Sequence, residues 1–369
     1  VTARLLMTVD TVGGVWQYAT ELAAGLAGSG YQVELAVIGP PPDAGQRRRA
    51  QAVGATLIDT GLALDWLSGD AAMVAATGAA IARLAQQRGA DLVQLNQPAF
   101  AAAPFAMPVV AVAHSCVATW WAAAGIGPLP DDLAWQAALT ARGLAAADAV
   151  VAPSAAFAAA TAHAHGLAPG RMTVVHNGRN LRPRSAPPQD FAFTAGRLWD
   201  RGKNAATLDR AAARLAVPFK AAGPCTGPHG ETVVFEHVVP LGSLGERAIA
   251  DILSARPVFA SATRYEPFGL AVLEAALAGC ALVLSDIPTF RELWDGAALF
   301  VDPDDVDGFA DAIGTLAADA PLRLANGAQA RARAASYAPA AMAAGMIAIY
   351  DRLLDRAAGP VPAAGQVAA

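Results

Sequence analysis

Glu266-Pro267-Phe268-Gly269-Leu270-Ala271-Val272-Leu273-Glu274 joins a short apolar run at 257–260 to an alanine- and leucine-rich helical pattern that begins at Leu270. Pro267 and Gly269 suit the turn before a helix. The first N–H groups of a helix lack intrahelical partners and favour negative charge, so an anion can settle there. Glu266 stands before the helix and Glu274 about one turn inside it, close enough for both to reach a crevice at the strand's end. A helix this apolar has little reason to turn Glu274 toward its packed side unless a polar partner meets it. By spacing alone, a capping role for Glu266 and a surface position for Glu274 fit as well as ligand contact does.

The same strand–turn–helix unit recurs along the 369 residues. Short apolar runs predict strands at 5–9, 33–38, 92–95, 109–113, 149–151 and 172–175, then at 191–195, 219–222, 233–237, 257–260 and 281–284. Helical patterns at 16–28, 71–88, 270–278 and 340–354 lie among them or follow them, the alternation of parallel α/β folds. Arg182-Pro183-Arg184-Ser185-Ala186-Pro187-Pro188 propagates neither helix nor central strand and reads as a linker. The expected organisation is therefore one α/β domain over 1–180 and a second over 181–338. A helix over 339–358 opens with Pro339 in its first turn, and a disordered Gly/Pro/Ala tail covers 359–369. The length suits two domains of roughly 150–200 residues each.

Composition removes several function classes. Apolar residues make up 55% and charged residues 15%, with a formal charge of −5, which argues against a nucleic-acid partner. Arg47-Arg48-Arg49 is the one dense basic run; a solvated face and a contact with anionic lipid or phosphate are both open for it. Cys116, Cys225 and Cys280 are too few and scattered for a disulfide framework or a zinc site, and fit a reducing cytoplasm. No segment approaches the ~20 apolar residues of a membrane span, and the N-terminal residues lack a signal peptide's order. The expectation is a cytoplasmic protein that could still touch the inner face of a membrane.

Open parallel sheets bind ligands beyond the carboxyl ends of their strands, so residues just after strands carry most weight. Asp10-Thr11-Val12-Gly13-Gly14 follows the first strand and precedes a helix; it is a tight turn or a phosphate or sugar site, and it lacks the G-x-G-x-x-G dinucleotide spacing. His114 ends the apolar run 109–113 and could meet a substrate hydroxyl or serve the core. Gly196-Arg197-Leu198-Trp199-Asp200-Arg201-Gly202-Lys203 offers two cations that converge on one phosphate ligand or stay solvated. Asn177-Gly178 and Ser154 read as turn residues.

Taken together, Gly13-Gly14, His114, Arg197, Lys203 and above all Glu266-x7-Glu274 resemble family four of the retaining glycosyltransferases. The resemblance covers roughly residues 8–300 and implies the GT-B fold, two Rossmann-like parallel-sheet domains facing across a cleft. It implies that Glu274 bonds the donor's ribose and that Glu266 holds hydroxyls of the transferred sugar. Backbone N–H groups of Phe268, Gly269 and Leu270 would meet sugar and diphosphate. Arg197 and Lys203 would neutralise the departing diphosphate, the task a metal performs elsewhere, so no metal and no cofactor are expected. Gly13-Gly14 would close over the phosphates, and His114 would sit by the sugar's reacting face.

The activity implied is transfer of a hexose from a UDP-sugar, or next GDP-mannose, to a hydroxyl of a glycan, a lipid-linked sugar or a small molecule. Acceptor binding would fall to the N-terminal half, with 119–121 and Trp135 as candidates beside plain core packing. A nucleotide-sugar 2-epimerase of the same architecture and a non-catalytic sugar-nucleotide-binding partner are the alternatives. Two departures stand out: Arg197 and Lys203 are six residues apart where many relatives have five, predicting a bulged loop, and no lysine precedes Gly13-Gly14, unlike in starch and glycogen synthases.

Overall fold

The computed structural model describes residues 2–357; the tail expected over 359–369 lies outside the described residues. Thirteen strands form two wholly parallel sheets. The first comprises β1 (Ala3–Asp10), β2 (Tyr31–Ile38), β3 (Thr56–Leu62), β4 (Leu92–Leu95), β5 (Val109–Val112), β6 (Ala149–Ala152) and β7 (Met172–Val174), in the order β3-β2-β1-β4-β5-β6-β7. The second comprises β8 (Ala192–Ala195), β9 (Phe219–Ala222), β10 (Val238–Pro240), β11 (Val258–Ser261), β12 (Ala281–Ser285) and β13 (Leu299–Val301), in the order β10-β9-β8-β11-β12-β13. The two parallel-sheet, Rossmann-like domains implied by the sequence are thus present. Strand order reverses beside β1 in the first sheet and beside β8 in the second, and at such switch points parallel sheets open a crevice.

Both faces of each sheet are covered, which is why the central strands are apolar almost throughout. Leu5, Met7 and Val9 of β1 pack on one side with Trp16, Leu22 and Leu26. Leu6 turns to the other core with Ile38, Val74 and Ile81. The helix Pro339–Ala357 completes the first of these cores: Met342, Met346, Ile349, Tyr350 and Leu353 are buried there. It crosses helix Gly14–Leu26 so tightly that a Cβ on Gly25 would come within 2.6 Å of the Ala343 Cβ. No helix among the described residues is long and apolar enough to cross a membrane.

Several element boundaries differ from the expected ones for identifiable reasons. Residues 233–237 are not a strand; the Asp209 carboxylate accepts hydrogen bonds from the N–H groups of Glu236, His237 and Val238 (2.8–3.2 Å), and pairing begins only at Val238. Strands β3 and β13 lie at sheet edges, where polar or very short segments give no apolar run. The first helix starts at Gly14, two residues before the expected start, and ends at Leu26, ahead of Gly28 in the left-handed region (φ 78°). In the basic run, Arg49 pairs with Glu21 (3.2 Å) and Arg47 with Asp59 (3.1 Å).

Arg179, just past β7, ties the domains together. Its side chain is 1% exposed and reaches Glu21 of the first helix (2.7 Å), Glu274 (2.6 Å) and Glu246 (3.3 Å) of the second domain. Burial works against its charge, and the three carboxylates outweigh burial, so the guanidinium stays charged. Removing it strands buried carboxylates. Arg179→Ala should therefore lose about 3–5 kcal/mol of stability at neutral pH. Urea denaturation should find the deficit shrinking as pH falls, because burial already raises the Glu274 carboxyl and loss of Arg179 removes the charge that opposes this.

Candidate functional site

The two sheets face one another across a cleft of about 610 Å³. On the N-terminal side, β1 delivers Asp10, whose carboxylate accepts hydrogen bonds from the N–H groups of Val12 (3.0 Å) and Gly13 (3.2 Å) and from Gln97 Nε2 (3.3 Å). The turn is thus folded around its own aspartate. Burial pushes the Asp10 carboxyl up, against the pull of those N–H groups and of the Arg197 charge across the cleft. A Cβ on Gly14 would lie 3.2 Å from Leu270 Cδ1, so the glycine pair brings one domain's backbone to the start of the other's helix.

His114 lies beyond β5. Asn96 Nδ2 donates to the Thr8 carbonyl (2.6 Å), which fixes Asn96 Oδ1 as an acceptor for both Gln94 Nε2 (3.0 Å) and His114 Nε2 (3.0 Å). This network assigns the ring proton to Nε2 and leaves Nδ1 as a lone-pair acceptor. Burial lowers the imidazole pKa to about 3, and the Tyr18 ring meets it edge-on at 4.5 Å. His114 is therefore a neutral hydrogen-bonding group.

On the C-terminal side, the chain leaves β8 through Gly196 and passes Arg197 to a 3₁₀ turn at Arg201–Lys203. Asp200 caps that turn through Gly202 N (2.8 Å), and Asn204 closes it in the left-handed region (φ 51°), held by bonds to the Ala262 and Pro303 carbonyls (3.0 and 2.7 Å). The six-residue spacing is absorbed in this turn. Arg197 pairs with Asp200 (3.1 Å), and Lys203 pairs with Glu266 (2.5 Å). Gly223 packs against the Gly196 carbonyl, where a Cβ would approach to 1.7 Å.

The loop bearing Glu266 is moored to the first domain. Ser154 Oγ donates to the Pro267 carbonyl (2.7 Å), and the Tyr265 hydroxyl accepts from Cys116 N (3.2 Å) and lies 2.9 Å from Thr119 Oγ1. Trp120 Nε1 donates to Asp200 (2.9 Å). Helix Leu270–Ala278 then begins after Gly269, which adopts φ 91° and leaves the helix start without a side-chain cap. That start borders the cleft beside Lys203 and Arg197.

Gly13, Gly14, His114, Arg197, Lys203, Glu266, Phe268, Gly269 and Leu270 all line this one cleft. Glu274 does not. Its charge is desolvated and Arg179 takes up Oε1, while the side chain keeps 15% exposure. Trp120, Trp121 and Trp135 do border the cavity. Sequence reasoning missed Asp65, Asn177 and Tyr265 as lining residues and Arg179 as the partner of Glu274. Asn177 is 5% exposed, and its Oδ1 has no hydrogen-bond partner among the described residues. Asn177 and Arg179 follow a strand closely, a signal that was available; Asp65 follows β3, which the sequence did not disclose.

Comparison with known proteins agrees with this geometry. The family model Glycosyltransferase Family 4 matches residues 12–182, and the model Glycosyl transferases group 1 matches residues 190–319, so the two span most of the chain. The lipopolysaccharide core biosynthesis mannosyltransferase LpsB of Rhizobium meliloti (strain 1021) is 32% identical over 147 residues. That match takes in 36% of this chain and 42% of the length of LpsB. The sucrose-phosphate synthase of Thermosynechococcus elongatus superposes with a TM-score of 0.78 at 18% identity, over 96% of this chain and all of the other. Anabaena HepE in complex with UDP-glucose gives 0.75 at 17% identity, over 95% of this chain and all of the other. At these identities the structural likeness speaks for the fold.

The tautomer of His114 is testable. Its ring nitrogens should keep the Nε2–H pattern, with flat ¹⁵N shifts, from pH 5 to 8, because its pKa lies near 3. A titration midpoint inside that range would show that burial does not hold the ring neutral.

Proposed function

Because the chain belongs to the GT-B glycosyltransferases that join a family-four N-terminal domain to a group-one C-terminal domain, we propose that it transfers a hexose from a nucleoside diphosphate sugar to an acceptor hydroxyl, retaining anomeric configuration and needing no metal. A UDP-sugar is the first choice of donor and GDP-mannose the second; UDP-glucose sits in HepE, and LpsB is named a mannosyltransferase.

The observation that carries this reading is the convergence of Arg197, Lys203 and the uncapped start of helix Leu270–Ala278 on one cleft wall. Two cations and a helix N-terminus make a site for a diphosphate. The diphosphate binds there, with Lys203 shared between phosphate and Glu266. Glu266 then accepts bonds from sugar hydroxyls, and His114 Nδ1 accepts one more. Glu274 Oε2, which makes no hydrogen bond among the described residues, is the acceptor left for the ribose. The acceptor oxygen bonds to C1 on the face from which the phosphate departs. The C1–O(phosphate) bond breaks with its electron pair going to the nucleoside diphosphate, and the acceptor proton passes to a phosphate oxygen. Fixed cations stabilise the charge that builds on that leaving group.

A thermal-shift screen of UDP, GDP, ADP and NAD without added metal tests the donor site, since a ligand of the folded state raises its apparent stability. One nucleoside diphosphate should stabilise the protein, and a shift with NAD alone would refute the reading. Lys203→Ala should weaken that diphosphate about 10–100-fold, the worth of a charged hydrogen bond. Turnover should survive EDTA; loss on chelation with rescue by manganese would overturn the metal-free mechanism.

A further inference from the structure

The first domain lines its own lobe of the cleft, with Asp65, Trp66, His114 and Trp135 among its residues. Val74 and Leu139 add buried apolar side chains to this lining, and Trp66 and Trp135 add half-buried rings. Helix Asp131–Ala146 approaches the Pro98–Ala102 turn closely because Gly143 has no side chain; a Cβ there would come within 1.8 Å of the Pro98 carbonyl. From the second domain, His229 Nε2 reaches the Trp66 carbonyl (3.4 Å).

Charge is unevenly placed around this cavity. Its cationic side chains, Arg197 and Lys203, both come from the second domain, while no Lys or Arg of the first domain is among the described lining residues. The first domain contributes Asp10 and Asp65, and Glu231 adds a further carboxylate beside His229. Asp65 Oδ1 is enclosed and has no hydrogen-bond partner among the described residues. Burial pushes the Asp65 carboxyl up to about 7, opposed by the Trp66 N–H and reinforced by the Asp10 charge. An unpartnered buried carboxylate is costly until a donor reaches it. A hydroxyl would relieve that cost, whereas a phosphate would face carboxyl groups with no Lys or Arg on its side of the cleft.

We propose that this lobe is the acceptor site, that it takes an uncharged hydroxyl compound with an apolar, ring-shaped body bonded to Asp65, and that it rejects phosphorylated acceptors. The assignment of the guest as an acceptor rests on the transferase reading above. Trp66 and Trp135 supply ring faces for the body, and Asp65 accepts the hydroxyl proton in a hydrogen bond.

The test uses tryptophan fluorescence of the protein saturated with the nucleoside diphosphate that stabilises it, titrated with phenyl β-glucoside, glucose 6-phosphate and fructose 6-phosphate. Phenyl β-glucoside should bind at least about tenfold more tightly than either phosphate, and Asp65→Asn should weaken it about tenfold or more, the scale of one hydrogen bond to a charged group. Nucleotide affinity, measured on the same variant, should not move. The variant should fold: a carboxyl whose folded pKa is raised lends stability below pH 4 that is lost as pH climbs through about 7, and the amide escapes that loss. Gln136→Arg, which places a cation in the lobe, should narrow the gap between glucoside and phosphates. Equal or tighter binding of the phosphates, or no binding of the glucoside while the nucleotide binds, overturns the proposal. Glucoside selectivity without any nucleotide binding would strike down the transferase reading and leave the lobe's chemistry standing.

Discussion

A guanidinium that is 1% exposed cannot be left without carboxylates, and the arrangement of the two domains follows from where Arg179 finds them. It rises from the end of the first sheet and is met by Glu21 on one side and by Glu274 and Glu246 on the other. Each of those carboxylates is anchored in a helix that packs on its own sheet. The ion cluster therefore ties the two cores to one another. Ser154 on Pro267, Tyr265 against Cys116 and Thr119, and Trp120 on Asp200 then set the finer register of the cleft. Glu292, which accepts from the N–H groups of Ala155 and Ala156 (2.8 and 2.7 Å), adds a helix-start contact of the same interdomain kind.

The same economy governs the cations at the cleft. Neither is idle: Lys203 is held by Glu266 and Arg197 by Asp200. Such pairs make partly buried charges tolerable and fix the positions of their nitrogens. On the proposed reading, an entering diphosphate would exchange partners with a preset cation instead of recruiting a solvated one, leaving little reorganisation for the reaction. His114 follows a similar logic with a neutral group, its proton committed to Asn96 and its second nitrogen left as an acceptor.

What the sequence disclosed was mostly local. Helix Leu270–Ala278 was legible because glycines 269 and 279 punctuate both of its ends in the left-handed region. Helix Ala71–Arg88 was legible because Asp70 caps its start and Gly89 its end. Gly13-Gly14, Arg197, Lys203 and Glu266 stood out because each follows a buried strand. The hidden features are long-range. Nothing near Asp209 announces that its carboxylate will occupy the N–H groups of 236–238 and cancel a strand. Strand β3 alternates exposed and half-buried residues around Asp59, Thr60 and Gly61, so neither it nor Asp65 beyond it has a local signal. The contact between Glu274 and Arg179 joins residues distant in sequence, so it has no local signal.

The helix Pro339–Ala357 gives the molecule an order of assembly. The second sheet and its covering helices are complete within one continuous stretch of chain, whereas the first sheet lacks the Met342–Leu353 face until that helix has been made. During vectorial synthesis the earlier domain is thus the later one to close its core, and the exposed apolar side of Gly14–Leu26 must wait for it. Residues far from the cleft thus complete the core behind its first wall.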